Sequence, residues 1–334
     1  MRRAALILAL LAAVVLPASA SAASWANPQI KIAVKSGLMG PSVAHFQPKG
    51  PLTRRALGQI VAGITHKAQV VENPTQGVTV AELDRALVQA LGMSGAARHV
   101  RTVLRGQKLQ PPTRAGYEVV ARLLELRTNH PAGSDNLELL PTQVANRAEA
   151  AWSVARILQL SSWDLQWENS RAMAFQLPAL TTWKRRVLTR AVRFIGYPYV
   201  WGGTSEHSEA PFGVRAPGGF DCSGFAWRVY KTQPYSGAAK LGTTIHGRTT
   251  YDMSGEIART KRVKRSHLLP GDLVFFGDRG TRSKPSEVGH MGIYMGKGWF
   301  IHSSGQGVTL MPLDGWYSDT FAWGRRPLRE AGLS

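Results

Sequence analysis

The sequence predicts an α+β protein in which an all-helical, repeat-like region precedes a region of mixed helices and strands. Between residues 51 and 160, apolar residues recur at helical spacing, in segments separated by Gly and Pro clusters. Beyond residue 181, the apolar runs become short and are separated by Gly-rich loops, which is typical of strands. We therefore expect five parts, namely a signal peptide (1–22), an extended leader (23–50), a helical domain (51–160), a linker (161–180) and a catalytic domain (181–334).

The amino-terminal segment has the pattern of a secretory signal peptide. Arg2 and Arg3 precede an apolar run at residues 4–16, and small residues follow at 18–22. The apolar run is shorter than the ~20 residues that span a bilayer, although an uncleaved anchor would begin in the same way. The pattern predicts a secreted, cell-wall-associated protein without a stable membrane span. Prolines and glycines after residue 22 predict the extended leader.

The charge narrows the class of partner, and the cysteine count excludes an internal disulfide. The chain has 41 basic and 21 acidic residues, a formal net charge of +20, and one cysteine, so it can form no internal disulfide. For an exported protein, this charge favours anionic wall polymer or an anionic membrane surface rather than nucleic acid. The basic residues are dense only at 184–186 and 261–265, and solvated surface would explain these runs equally well.

Four helical segments follow Thr or Asn residues that are good N-caps, namely Thr53, Thr79, Thr113 and Asn146. The last three are 33–34 residues apart, which predicts a repeat array. The sequences Pro-Thr-Arg-Ala and Asn-Arg-Ala-Glu at the last two starts resemble S-layer homology repeats. That resemblance implies binding to an anionic wall polysaccharide, and a plain helical packing domain is the alternative. Tryptophans among polar residues predict the linker at 161–180.

Cys222 is the candidate nucleophile. A Gly-Gly pair precedes it, and the apolar residues after it follow helical spacing, which places Cys222 near a helix amino terminus. Unpaired amides at that end favour a thiolate, so we expect a lowered pKa. Its neighbours Asp221 and Ser223 are polar, unlike those of a buried structural cysteine.

The candidate base is His290, oriented by His302. Residues 288–295 alternate as a strand, and a turn with Lys297 at its tip leads to a return strand that ends at His302. This register pairs His302 with Gly292, which leaves room for His302 to lie diagonally beside His290. Two histidines on a polar strand face would show the same spacing. No metal-binding motif is present, and no cofactor or metal is expected.

Five motifs in the carboxy-terminal region occur in the order that characterises one family. They lie at 196–203, 220–225, 269–276, 289–294 and 300–304. With them, residues 181–328 resemble an NlpC/P60 domain. The resemblance implies a papain-like α+β fold and hydrolysis of peptidoglycan stem peptides between D-glutamate and a diamino acid. An amidase or acyltransferase with the same site, or a non-catalytic wall-binding protein, are the alternatives.

The resemblance also implies a role for each matching catalytic side chain. Cys222 attacks the carbonyl carbon, His290 is the base, and His302 orients His290. Tyr199 holds the oxyanion together with the backbone amide of Cys222, although Tyr199 could instead pack behind the site.

Substrate binding is implied for the two neighbours of the nucleophile. Asp221 and Ser223 would bind the free amine of an amino-terminal L-alanine. Trp201 is expected to pack behind the site. Two insertions, at 205–219 and 233–250, could line or cover the cleft.

Overall fold

The computed structural model describes residues 24–130, 139–232 and 234–333. The predicted signal peptide, at 1–22, lies outside the described residues. The predicted α+β class is confirmed, because every named element up to residue 192 in the described part of the chain is a helix and an antiparallel sheet follows. The helices before the sheet are α1 (Asn27–Lys35), α2 (Arg54–Thr65), α3 (Val80–Ala90), α4 (Ser94–Gly106), α5 (Ala115–Leu123), α6 (Arg147–Ile157), α7 (Ser162–Met173) and α8 (Thr182–Val192).

Three of the four predicted helix starts are capped by a side chain. Thr53, Thr79 and Asn146 each accept a hydrogen bond from the backbone amide three residues ahead, which satisfies one of the free amides of the first turn. Thr113 does not, because α5 starts later, with Arg114 in the N-cap position and no side-chain cap.

The three capped starts meet in a closed ring of backbone hydrogen bonds. The amide of Leu52 donates to the carbonyl of Ala145, that of Ala145 to Val78, and that of Val78 to Leu52, each at 2.8 Å. The structurally equivalent units therefore begin at 53, 79 and 146. The expectation that the unit at 113 belongs to the repeat is wrong, because spacing along the chain does not record which starts pair in space.

The predicted extended leader at 23–50 is wrong. Residues Asn27–Lys35 form α1, with Pro28 in its first turn, where a proline initiates a helix rather than breaking it. Ile30, Ala33 and Phe46 are buried in the main hydrophobic core. The leader is thus part of the helical region.

The predicted linker at 161–180 is also wrong. Ser161 and Asp164 form a reciprocal capping box that starts α7, and Ala172 and Phe175 are fully buried. The tryptophans that suggested a linker are on the solvent side of α7. The predicted boundary between the helical and catalytic domains stays a prediction.

Beyond α8, helices pack on one side of a five-stranded antiparallel sheet with strand order β6-β5-β4-β3-β7. The strands are β1 (Thr204–Ser205), β2 (Gly219–Phe220), β3 (Leu273–Gly277), β4 (Val288–Gly296), β5 (Trp299–Ser304), β6 (Gly307–Pro312) and β7 (Phe321–Arg325). The helices are α9 (Cys222–Tyr230), α10 (Thr250–Gly255), α11 (Gly315–Asp319) and α12 (Pro327–Glu330). Strands β1 and β2 form a separate two-stranded ribbon.

The two faces of the large sheet bury different cores. Met291 and Ile293 of β4 point into the main core, which the sheet shares with the helices. The other face carries a smaller apolar cluster that includes Phe276 and Phe300. His290 pairs directly with Phe276 across β3 and β4 and therefore lies on this second face.

A buried arginine joins the helical region to the sheet region. Arg122 of α5 donates through Nε to the carbonyl of Gln306 at 2.8 Å and through Nη2 to the carbonyl of Gly196 at 3.0 Å. Its third nitrogen contacts Glu118 at 2.5 Å and Asp84 at 3.4 Å. All three nitrogens of Arg122 thus have partners, and the two bonds to backbone carbonyls fix α5 to the sheet region.

Candidate active site

Cys222 is the first residue of α9, as the sequence predicts. Asp221 is the N-cap and accepts from the amide of Gly224 at 2.5 Å. Gly219, which leads into the helix, has φ of +152°, and a Cβ there would lie 2.7 Å from the carbonyl oxygen of Pro198. A glycine is therefore required for the tight approach that presents Cys222.

The thiol of Cys222 is buried, with 8% of the residue exposed. Burial, and next the negative charge of Asp221, raise the pKa of Cys222 to about 12, although backbone hydrogen bonds from Ser223 and Met291 oppose the rise. The expectation of a lowered pKa is wrong, because the loss of solvation outweighs the backbone hydrogen bonds at the helix start. The thiol is protonated at neutral pH and needs a base when it attacks.

His290 and His302 are hydrogen bonded to each other. His290 Nε2 and His302 Nδ1 are 2.8 Å apart. The hairpin has the predicted register, since Ile293 pairs with Ile301, which places Gly292 opposite His302. A Cβ added at Gly292 would lie 3.0 Å from His302 Cβ and 2.9 Å from the carbonyl oxygen of Ile301. The absent side chain of Gly292 thus makes room for His302.

Both imidazoles are neutral at physiological pH. Burial lowers the pKa of His290 to about 4, and burial followed by the neighbouring His290 lowers the pKa of His302 well below its usual range. If His290 Nε2 donates to His302 Nδ1, the Nδ1 atom of His290 keeps a free lone pair. That tautomer leaves a proton acceptor on the base, as general-base catalysis requires.

An aromatic cluster encloses the two histidines. Phe276 stacks on His290 with ring centres 5.7 Å apart, and Tyr317 stands edge-on to His302 at 5.3 Å. Phe300 contacts His302 at 4.7 Å. These rings cause the desolvation that lowers both pKa values. Tyr317 could not be identified from the sequence, because no motif connects it with the histidines.

Tyr199 lies beside Cys222. It forms a parallel bridge with Phe220, two residues before Cys222. Burial, and next the charges of Cys222 and Asp221, raise the pKa of Tyr199 well above its usual range. Its hydroxyl is therefore protonated and can donate a hydrogen bond, as an oxyanion-stabilising group must.

Asp221 and Ser223 are already engaged by Arg248. Arg248 Nη2 lies 3.0 Å from Asp221 Oδ2, and its Nη1 lies 2.7 Å from Ser223 Oγ. Asp221 also accepts from the amides of Gly202 and Gly224. A carboxylate offers about four lone-pair positions, and these donors fill them. Amine binding by Asp221 and Ser223 stays a prediction, and for Asp221 this geometry argues against it. No sequence motif points to Arg248, which lies within the predicted insertion at 233–250.

The insertion at 205–219 is anchored against α9. Glu206 accepts from Arg228 Nε at 2.5 Å, and Glu209 accepts from the amide of Thr204 at 2.6 Å. Trp201 is 72% exposed and Phe212 is 80% exposed. The expectation that Trp201 packs behind the site is therefore wrong. Trp201, just before the insertion, and Phe212, within it, thus leave two large apolar side chains in solvent.

Neither a metal-binding cluster nor a membrane-spanning helix is found among the residues that the structure describes. Within the described parts of the chain, no group of three or more His, Cys, Asp or Glu side chains is placed to hold a metal ion. Across the same residues, no helix combines the length and the hydropathy that crossing a bilayer requires.

Comparison with known proteins identifies the carboxy-terminal region. Residues 196–326 match the NlpC/P60 family model. The chain is 36% identical over 140 residues to gamma-D-glutamyl-L-lysine dipeptidyl-peptidase of Bacillus cereus, covering 40% of this chain and 34% of that protein. It is 32% identical over 131 residues to the bifunctional muramidase/DL-endopeptidase CwlT of Bacillus subtilis, covering 39% of this chain and 32% of that protein. A solved NlpC/P60 family structure from Bacillus cereus is 28% identical, covers 46% of this chain and 42% of its own, and gives a TM-score of 0.33. The chain spans about a third of the length of these two relatives.

Proposed function

We propose, from the NlpC/P60 domain that residues 196–326 form, that this protein is a secreted cysteine peptidase that hydrolyses peptidoglycan stem peptides. The observation that carries the proposal is the 2.8 Å contact between His290 and His302 on the strands next to Cys222. A nucleophile, its base and an orienting group are the set that covalent hydrolysis needs.

The proposed mechanism begins with two neutral groups. As Cys222 Sγ attacks the carbonyl carbon, its proton passes to His290 Nδ1, and His302 stabilises the imidazolium that forms. The backbone amide of Cys222 and the hydroxyl of Tyr199 donate to the oxyanion. His290 then protonates the leaving amine as the tetrahedral intermediate collapses to a thioester. Water, deprotonated by His290, hydrolyses the thioester and regenerates the thiol.

The bond we propose is the one between D-glutamate and the diamino acid. The printed names of the two relatives, a gamma-D-glutamyl-L-lysine dipeptidyl-peptidase and a DL-endopeptidase, support this choice. Purified peptidoglycan fragments would be incubated with the full chain, and the products weighed by mass spectrometry. Products cut at that bond are expected, and none should form with Cys222→Ala, whose unfolding temperature should match that of the wild type. Release of a different amide would favour an amidase, and transfer to an added amine would favour an acyltransferase. A protein that binds the fragments but leaves them intact would favour non-catalytic wall binding.

For the helical region we propose binding to an anionic wall polysaccharide. The net positive charge of the chain supports this proposal. The candidate position is a groove of about 900 Å³ between α2 and α3, whose lining includes Arg54 and Lys67 but also Glu72 and Glu82, and Arg54 is ion-paired with Glu82 at 3.8 Å. Arg114 and Arg147 are poor test positions, because their side chains already bond to the carbonyls of Ile195 and Phe46.

The test uses the full chain with Cys222→Ala, sedimented with purified cell walls. Binding should weaken as salt rises, and Lys67→Gln should weaken it more than Lys31→Gln, an exposed lysine on α1. Equal binding to walls stripped of polysaccharide would contradict the proposal.

A further inference from the structure

A cavity at the β7 edge of the sheet is separate from the histidine pair. It has a volume of about 850 Å³ and lies between residues 259–265 and the edge strand β7. Val263 exchanges two backbone hydrogen bonds with Gly324, at 2.8 and 2.7 Å, which fixes this basic segment beside the sheet. Arg265 Nη2 donates to the carbonyl of Leu313 at 2.7 Å and closes one side. The basic run at 261–265 stands out in the sequence, and none of its residues belongs to the proposed active site.

The cavity is lined by cations and contains no opposing carboxylate. Four of its lining residues are basic, and none of the described lining residues is acidic. The basic residues are Arg259, Arg262, Lys264 and Arg265. Like charges held together without a counter-ion repel one another, and an anion in the cavity would remove that repulsion.

Two buried donors face the same cavity. The Arg262 guanidinium lies 3.5 Å above the ring of Trp323, which is only 3% exposed. Among the described residues, neither Arg262 Nε nor Trp323 Nε1 has a hydrogen-bond partner. A buried donor without an acceptor is costly, and both of these donors can only be satisfied by an acceptor.

The basic wall of this cavity also lines a second one. Arg262 and Lys264 border a neighbouring cavity of about 610 Å³, together with Lys261 and Arg329. Its one acidic lining residue, Glu330, is ion-paired to Arg325 at 2.9 Å. Two adjoining cationic cavities fit successive anionic groups of one polymer better than they fit a single small anion.

We propose that these cavities bind successive phosphate groups of an anionic polymer, with Arg262 and Trp323 donating to the first phosphate. Tyr294 lines the first cavity and lies on the same face of β4 as His290, four residues further along, or about 13 Å. A bound polymer would therefore be held beside the catalytic cleft without entering it. The proposal does not depend on hydrolytic activity.

The test follows the indole N–H of Trp323 in the full chain labelled with ¹⁵N-tryptophan. Its resonance is assigned as the one missing from a Trp323→Phe sample. Inorganic phosphate and a short polyphosphate are titrated, with NaCl at matched ionic strength as the salt control. A saturable shift of this resonance is expected with both phosphates, and polyphosphate should bind more tightly per phosphate group.

Matched variants separate the site from general charge. Arg262→Gln should weaken binding about tenfold or more, whereas Arg105→Gln removes an exposed arginine from α4 and should change nothing. Arg262→Lys, which keeps the charge and loses the guanidinium, provides a second variant if Arg262→Gln is poorly folded, and it should also weaken binding. An equal shift in NaCl, wild-type affinity in both Arg262 variants, or equal binding of polyglutamate would overturn the proposal.

Discussion

Substitution of Gly292 by alanine tests whether the position of His302 governs activity. The added Cβ would lie 2.7 Å from Phe300 Cδ2, 2.9 Å from the Ile301 carbonyl oxygen and 3.0 Å from His302 Cβ. Overpacking of this kind costs about 1–3 kcal/mol of stability. If His302 moves away from His290, the lost hydrogen bond to the imidazolium is worth about 1.5–3 kcal/mol, or roughly 10- to 150-fold in rate.

Gly289→Ala is the matched control, because it lies on the same strand and its Cβ would meet nothing within 4 Å. Hydrolysis of a synthetic stem peptide gives kcat/KM, and urea unfolding gives stability, both measured where each variant is fully folded. We expect Gly289→Ala to match the wild type and Gly292→Ala to lose mainly kcat. Equal kcat/KM in the two variants would refute the argument that the space at Gly292 positions His302.

Four further predictions concern the site and its supports. His302→Asn and His302→Gln keep an acceptor for the ring of the base and should lose much less kcat/KM than His302→Ala, and equal losses would contradict the orienting role. Because the pKa of His290 is lowered to about 4, the base stays neutral in mild acid, and kcat/KM should fall only near pH 4 rather than near the usual ~6.5. Because the pKa of Cys222 is raised to about 12, its alkylation by iodoacetamide should keep accelerating as pH rises through neutrality, and a plateau there would indicate a preformed thiolate instead. Arg122→Met removes the closer ion-pair partner of the buried Glu118 and should lower the free energy of unfolding in urea by about 3 kcal/mol. This is the lower end of the usual range, because a second arginine stays 3.6 Å from Glu118. Adding Glu118→Gln should restore part of this loss, and an unchanged stability would contradict the pairing.

The site could be predicted from sequence where the chemistry is local. The start of the helix at Cys222 follows from the Gly-Gly pair before it and the apolar spacing after it, and the contact between the two histidines follows from hairpin register. Arg248 and Tyr317 could not be found in this way, because they reach the site from distant segments. The pKa of the thiol was mispredicted for the same reason, since its burial depends on the whole fold rather than on its neighbours in sequence.

The fold was predictable to a similar extent. Caps and apolar spacing located α2, α3 and α6, because each helix start is encoded within a few residues. The ring through Leu52, Val78 and Ala145 was not predicted, since its partners are far apart in the chain. The proline in the first turn of α1 was misread as a sign of extended chain, because the tertiary contacts of Ile30 decide between a helix and an extended leader.

The helical region contacts both segments that flank the proposed site, and this contact is separate from any binding of a partner. Arg122 contacts the carbonyl of Gly196, which begins the segment leading to Tyr199, and the carbonyl of Gln306, in the turn that follows the strand of His302. One planar guanidinium thereby fixes two segments that flank the proposed site, with bonds whose directions are set by its geometry. A region that served only as a tether would need no buried, fully directed contact with both. Loss of this contact should therefore lower kcat even towards a small soluble substrate, which no wall-binding role requires.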